Sequence, residues 1–188
     1  INPRNITVPL DELHDDLGFK AIITNSYIIR NNEELRERAL REGLHELLGY
    51  DGVIMTDSGT FQSYMYGEVD VRNEDIVAFQ RDIGSDIGTV LDIFTEPDWS
   101  EERTSEAVDV TLARTEEAAR LKGDMLLAGV VQGSVFPDLR ERCARSLASI
   151  DADVHPIGGV VPLMEQYRFA DLVDVIIASK KGLTPARP

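Results

Sequence analysis

The sequence predicts an α/β fold of parallel βα units, an incomplete (β/α)8 barrel of the TIM type. Three observations carry it. Short apolar runs alternate with longer stretches of helical period. Capping residues stand where those helical stretches begin. Every apolar run ends in polar or glycine residues. About five units can be counted, too few to close eight strands, so residues 1–188 read as a partial barrel domain. An open doubly wound sheet is the alternative architecture.

Residues 21–24, Ala-Ile-Ile-Thr, form the first predicted strand. Asn31 and Asn32 then offer an N-cap to a helix over 33–48, with Leu35, Ala39 and Leu44 facing inward and Gly49 near its end. The second strand is 52–56. After a loop, Asn73 is the expected cap of a helix carrying Ile76, Val77 and residues 79–83. Residues 87–91 are the third strand, and Ser100 caps a long acidic helix over 101–121 whose Ala107, Val110, Ala113 and Ala118 are expected to face the core. The fourth strand, 125–131, leads to a helix begun by Pro137 and running to about Ile150. A shorter fifth strand, 154–157, precedes a helix over 167–179.

Composition is that of a globular chain, with 43% hydrophobic and 28% charged residues. No apolar run has the length a bilayer requires, and no charged-then-apolar leader opens the chain, so an intracellular, cytoplasmic protein with no membrane partner is expected. The single cysteine, Cys143, lies in an apolar-periodic stretch without a nearby His or second Cys and reads as a buried helix thiol. Ile1 in place of Met and the Thr-Pro-Ala-Arg run before Pro188 make the chain look like part of a longer one. The net charge of −15, from 34 acidic and 19 basic residues, weighs against phosphate binding by this surface; an acidic, lysine-poor surface suited to high salt and nucleic-acid contacts supplied by another segment are both open readings.

The residues after the five runs are Asn25-Ser26, Asp57-Ser58-Gly59, Asp92, Gln132-Gly133-Ser134 and Gly158-Gly159. The carboxyl edge of a parallel sheet is where α/β folds build their sites. Asp57 through Gln62 sets a carboxylate at a strand end, a glycine that admits a ligand, and the Phe61 ring, which suits stacking on a planar group. Taken alone, Asp-Ser-Gly is also a common turn. Asp92 lies between Leu91 and Ile93, so it must find donors. A loop cap satisfies that, and guanine does so better: its N1–H and N2–H donors match the two oxygens of one carboxylate. Gln132 can donate to a carbonyl such as guanine O6, and the Gly158-Gly159 backbone can offer an N–H at close range. Two carboxylates also fit glycosidic chemistry, one at the anomeric carbon and one handling a proton. His155 reads as a packed strand-end residue rather than a catalyst, and His14 and His45 as peripheral.

The segments 56–62 (Thr-Asp-Ser-Gly-Thr-Phe-Gln), 90–93 (Val-Leu-Asp-Ile), 131–134 (Val-Gln-Gly-Ser) and 155–165 (His-Pro-Ile-Gly-Gly-Val-Val-Pro-Leu-Met-Glu) resemble, in order and spacing, the motifs of tRNA-guanine transglycosylases. Residues 23–27 and the Gly-Gly-Val-Val-Pro-Leu run resemble the archaeal branch, which inserts 7-cyano-7-deazaguanine on the way to archaeosine. The resemblance implies that Asp57 is the active-site carboxylate, either as nucleophile or as acid/base group, and that Ser58 lines the pocket. It implies that Phe61 stacks on the base, Asp92 binds the N1/N2 edge, and Gln132 with Gly158 and Gly159 holds the O6 side. The implied ligands are tRNA, guanine and 7-cyano-7-deazaguanine, and the implied partner is a second copy or a C-terminal segment. The family's later aspartate, its structural zinc site and its C-terminal RNA-binding parts have no counterpart up to Pro188. No metal site is therefore expected in this chain, and the chain alone is expected to be catalytically incomplete. Two other classes remain open at this stage. One is a non-catalytic tRNA- or partner-binding subunit of a split transglycosylase, and the other is an unrelated barrel lyase or hydrolase acting on a small acid or sugar.

Overall fold

The computed structural model describes residues 1–60, 71–183 and 188, which leaves Phe61 outside the described residues. The chain forms two compact units, Ile1–Thr89 with Leu121–Leu126, and Val90–Arg120 with Leu127–Pro188. Its strands are β1 (Ala21–Asn25), β2 (Val53–Asp57), β3 (Ile87–Thr89) and β4 (Leu126–Ala128), in the sheet order β1-β2-β3-β4. β1 and β2 run parallel with Ile22 opposite Ile54 and Asn25 opposite Asp57, and β3 pairs parallel with β2 from Met55 opposite Ile87.

In the first unit, the helices α1 (Ser26–Arg30), α2 (Glu33–Glu42), α3 (Leu44–Leu48) and α4 (Asn73–Asp82) supply the apolar residues that the strands need. Ile22, Ile29, Ala39, Leu44, Leu48, Ile54, Phe79 and Ile83 form one buried cluster, with each full-sized apolar side chain contributing about 1.5–3 kcal/mol. A polar link holds β2 to β3. The buried Gln80 of α4 accepts from the Thr56 hydroxyl at 2.8 Å and from the Thr89 N–H at 2.9 Å, and donates to the Thr89 carbonyl at 2.9 Å. Every polar atom of that amide is used, so its burial is compensated.

The second unit contains α5 (Glu101–Leu121, up to Arg120), α6 (Pro137–Leu147), α7 (Val161–Glu165) and α8 (Phe169–Gly182). Val108, Val131, Cys143, Ala144 and Leu147 form its buried cluster, and α6 packs along α8. Ser100 caps α5 as expected, its hydroxyl accepting from the Arg103 N–H at 3.3 Å.

Several expectations need correction. The helix expected over 33–48 breaks at Gly43, whose φ of +87° leaves the helical region and separates α2 from α3. Residues 26–30, to which the sequence assigns no element, form α1, with the Asn25 side chain capping the Ile28 N–H at 3.0 Å. Asn73 is the first residue of α4 rather than its cap; Arg72 holds the cap position and pairs with Asp75. The buried face of α5 is Thr104, Ala107, Val108, Thr111, Thr115 and Ala118, whereas Val110 and Ala113 are exposed. Threonine is tolerated there because a helical hydroxyl can bond back to its own turn, as Thr115 does to the Thr111 carbonyl at 2.8 Å.

The third and fourth strands end sooner than expected. The fifth reduces to two parallel bridges, Ala128 with Val154 and Val131 with Ile157, because Pro156 has no N–H to continue a ladder. The helix expected over 137–150 stops at Leu147, and the last helix starts at Phe169, preceded by the unanticipated α7 with Pro162 in its first turn. His45 is partly exposed and bonds none of the described candidate site residues; its ring contacts the Tyr50 carbonyl at 2.8 Å and Asp86 at 3.0 Å, while Asp86 also accepts from the Ile54 N–H at 2.7 Å.

Candidate functional site

Asp57 ends β2 in the first unit, opposite Asn25 at the end of β1. Its carbonyl accepts from the buried Ser26 hydroxyl at 2.8 Å, and its carboxylate accepts from the Gly59 N–H at 3.2 Å, closing a tight turn. The turn requires glycine. Gly59 has a φ of +92°, and a Cβ there would lie 2.3 Å from Tyr27 Cβ. Burial pushes the Asp57 carboxyl above its ordinary value, against the lowering effect of the Gly59 and Ser58 N–H groups. Ser58 is buried, with its hydroxyl 3.2 Å from that of Thr60.

The second unit gathers Asp92, Gln132, Gly158 and Gly159. Asp92 is buried, and its neighbours are tied to α5 on both sides: Arg114 donates to the Leu91 carbonyl at 2.8 Å and the Ile93 N–H donates to the Thr111 hydroxyl at 2.9 Å. Gln132 Nε2 donates to Asp92 Oδ2 at 2.6 Å, while Gln132 Oε1 accepts from the Thr95 hydroxyl at 2.8 Å. Gly158 lies directly on this amide. A Cβ at Gly158 would be 2.5 Å from Gln132 Nε2 and 2.6 Å from Val130 Cγ1, so no other residue fits without moving the amide.

Arg140, which the sequence reading did not single out, holds these loop ends together. It is fully buried on α6 and donates to three carbonyls, Ser134, Val131 and Gly158, each at 2.8 Å. Burial lowers its pKa to about 10, so it stays protonated at neutral pH. The carbonyl dipoles serve in place of a carboxylate. Thr95, Thr111 and Arg114 were also missed. His155 is packed as expected, 5% exposed with Nδ1 at 3.3 Å from the Gly129 carbonyl. Cys143 is buried on α6; burial pushes its thiol up to about 11, and its sulfur accepts from the Gln132 N–H at 3.4 Å. Among the described residues no cluster of His, Cys, Asp and Glu is arranged to hold a metal, so the side chains present do not fit a structural zinc site. No helix is long and apolar enough to cross a membrane among the described residues.

Parallel strands with helices between them, one strand ending in the half-buried Asp57 in the first unit and a carboxylate–amide–glycine cluster following the apolar runs of the second, define an α/β protein. The chain belongs to the queuine tRNA-ribosyltransferase family, whose model matches residues 2–188. It is 55% identical over its whole length to a tRNA-guanine(15) transglycosylase of Thermococcus onnurineus, covering 32% of that protein. It is 52% identical to the protein of that name from Methanopyrus kandleri, covering 41% of it, and 50% identical to that of Haloarcula marismortui, covering 39%. In each case the match includes all of this chain. The chain thus spans about a third of the length of these curated relatives.

Proposed function

We propose that this chain is the base-binding part of a tRNA-guanine transglycosylase that exchanges guanine in tRNA for 7-cyano-7-deazaguanine, the step toward archaeosine. The observation that carries the reading is the buried Asp92–Gln132 pair, held at 2.6 Å. A carboxylate presents two acceptors to the adjacent N1–H and N2–H donors of a guanine edge. Gln132 Nε2 has two hydrogens, of which Asp92 takes one, and the second suits the O6 carbonyl. Gly158 and Gly159 bring the backbone close to the same edge. Adenine presents the opposite pattern, a bare N1 and an amino donor, and is excluded by unpaired polar groups at about 1–3 kcal/mol each.

In this reading Asp57 acts on the glycosidic bond, as nucleophile or as acid/base, and burial raises its carboxyl above the ordinary value, the direction that favours holding a proton. Ser58 lines the pocket; Phe61, to which the family resemblance gives the stacking role, lies outside the described residues. Membership of the four strands in a (β/α)8 barrel is part of this reading, supported by their consecutive order, which lacks the reversal of a doubly wound sheet. Residues 1–188 are then part of one catalytic domain, with structural zinc, RNA-binding parts and a subunit interface elsewhere in a cytoplasmic enzyme. The chain's net charge of −15 agrees with tRNA phosphates being held elsewhere.

The test is incorporation of radiolabelled guanine into transcript tRNA by the protein at its natural length. Wild type should incorporate label and Asp57→Asn should not, while both bind free guanine alike. Guanine binding without any incorporation by wild type would favour a non-catalytic subunit instead.

A further inference from the structure

The hydroxyl of Thr95 stands at the centre of a hydrogen-bond chain whose direction can be read without ambiguity. The backbone N–H groups of Ser134 and Gly133 point at Thr95 Oγ1 from 2.8 and 3.3 Å, and an N–H can only donate. The single hydroxyl proton is therefore committed to its remaining contact, Gln132 Oε1 at 2.8 Å, which the Thr95 N–H also approaches at 3.4 Å. At the other end of the same amide, Asp92 Oδ2 accepts from Nε2 at 2.6 Å. Oxygen and nitrogen of a glutamine amide are told apart by such a network. Here both ends give the same answer. Turning the amide over would set its oxygen against a carboxylate and its hydrogens against a hydroxyl whose lone pairs are already occupied.

We propose that Thr95 is a specificity-determining positioning residue that fixes Gln132 as a donor beside Asp92, so that the site takes a 6-oxopurine or 6-oxo-deazapurine. Thr95 acts through Gln132 and touches no base itself. The inference rests on the reading of Asp92 and Gln132 as the base-recognition pair. Gly158 completes the device, since the space its missing side chain leaves is occupied by the Gln132 amide. An amide held on three sides discriminates by what it cannot do. It cannot rotate to accept from an amino group at position 6.

The test uses Thr95→Val, which keeps the shape and removes the hydroxyl, and Thr95→Ser, which keeps the hydroxyl. Guanine and 6-thioguanine share the N1–H and N2 donors and differ only in the acceptor at position 6. Wild type and Thr95→Ser should prefer guanine by about tenfold, the worth of one well-made hydrogen bond. In Thr95→Val that ratio should fall to about twofold, mainly through lost guanine affinity. An unchanged ratio, or equal weakening of both bases, overturns the proposal, because a merely structural role moves both alike. Thr95→Ile, which also lacks the hydroxyl and fills the space against water, takes the place of the valine variant if that does not fold, and the same loss of ratio is expected.

A base-free readout separates this role from the functional reading. The Gln132 side-chain amide, assigned in nitrogen-edited NMR by its loss in Gln132→Leu, should exchange slowly with solvent in wild type and Thr95→Ser and faster in Thr95→Val. An amide equally protected in Thr95→Val overturns the role of Thr95 whatever the ligand. Equal binding of guanine and adenine by wild type overturns the purine reading instead.

Discussion

Arg140→Met removes a side chain that joins the loop after β4 to the Gly158-Gly159 segment, with little change in volume. Three N–H···O=C bonds at 2.8 Å disappear. Bonds to a charged donor are worth about 1.5–3 kcal/mol each, which sets the gross loss at about 4–9 kcal/mol. Two effects reduce it. The Val131 carbonyl keeps a partner, the Gly158 N–H at 3.0 Å, and removing the guanidinium relieves the desolvation that lowers its pKa to about 10. A net destabilisation of about 3 kcal/mol is expected, with Arg140→Lys in between because an ammonium reaches fewer of the carbonyls. Urea unfolding followed by circular dichroism measures it as a shift in midpoint at constant slope. A loss below about 1 kcal/mol would show that the carbonyls find water and that Arg140 does not hold the loops together.

Other outcomes follow from the same geometry. Gly158→Ala should weaken guanine binding by at least about tenfold, since its methyl group displaces the Gln132 amide; calorimetric affinity equal to wild type refutes the contact. Asp57→Asn should be more stable than wild type at neutral pH. The Asp57 carboxyl has a raised folded-state pKa, so the stability it contributes is full below its ordinary value and is lost as pH rises through the folded value. The advantage of the asparagine variant should therefore vanish in acid, and thermal midpoints at several pH values check it. Cys143, buried and with its thiol pushed up to about 11, should resist alkylation at pH 8 in the folded protein and react at once in denaturant; mass spectrometry reads the adduct.

Strand and helix order were legible because period and punctuation agreed: Ile22 and Ile54 alternate with exposed residues, and Ser100 and Pro137 open helices where they stand. The positions of Asp92, Gln132 and Gly158 after apolar runs were legible for the same reason, although β3 and β4 stop at Thr89 and Ala128, short of the first two. What escaped was set by tertiary contact. Val110 and Ala113 belong to the right residue classes for a core but lie on the wrong face, because threonines able to bond their own turn fill the buried stripe of α5. Arg140 falls three and four residues before Cys143 and Ala144, on the buried face of α6, yet a charge at that spacing ordinarily reads as solvated. Only the carbonyls of Val131, Ser134 and Gly158, remote in sequence, explain why it is inside. Thr95 gave no local signal at all, since its role depends on Gln132, 37 residues away.

The central claim is that Asp92 reads the N1–H and N2–H edge of guanine. Calorimetric titration of wild type and Asp92→Asn with guanine and adenine tests it most directly. Wild type should bind guanine more tightly than adenine. Asp92→Asn should lose about 2–4 kcal/mol of guanine affinity, one charge-assisted bond plus a donor left facing a donor. Equal affinity of wild type for the two bases, or unchanged guanine binding by a folded Asp92→Asn protein, would contradict the account.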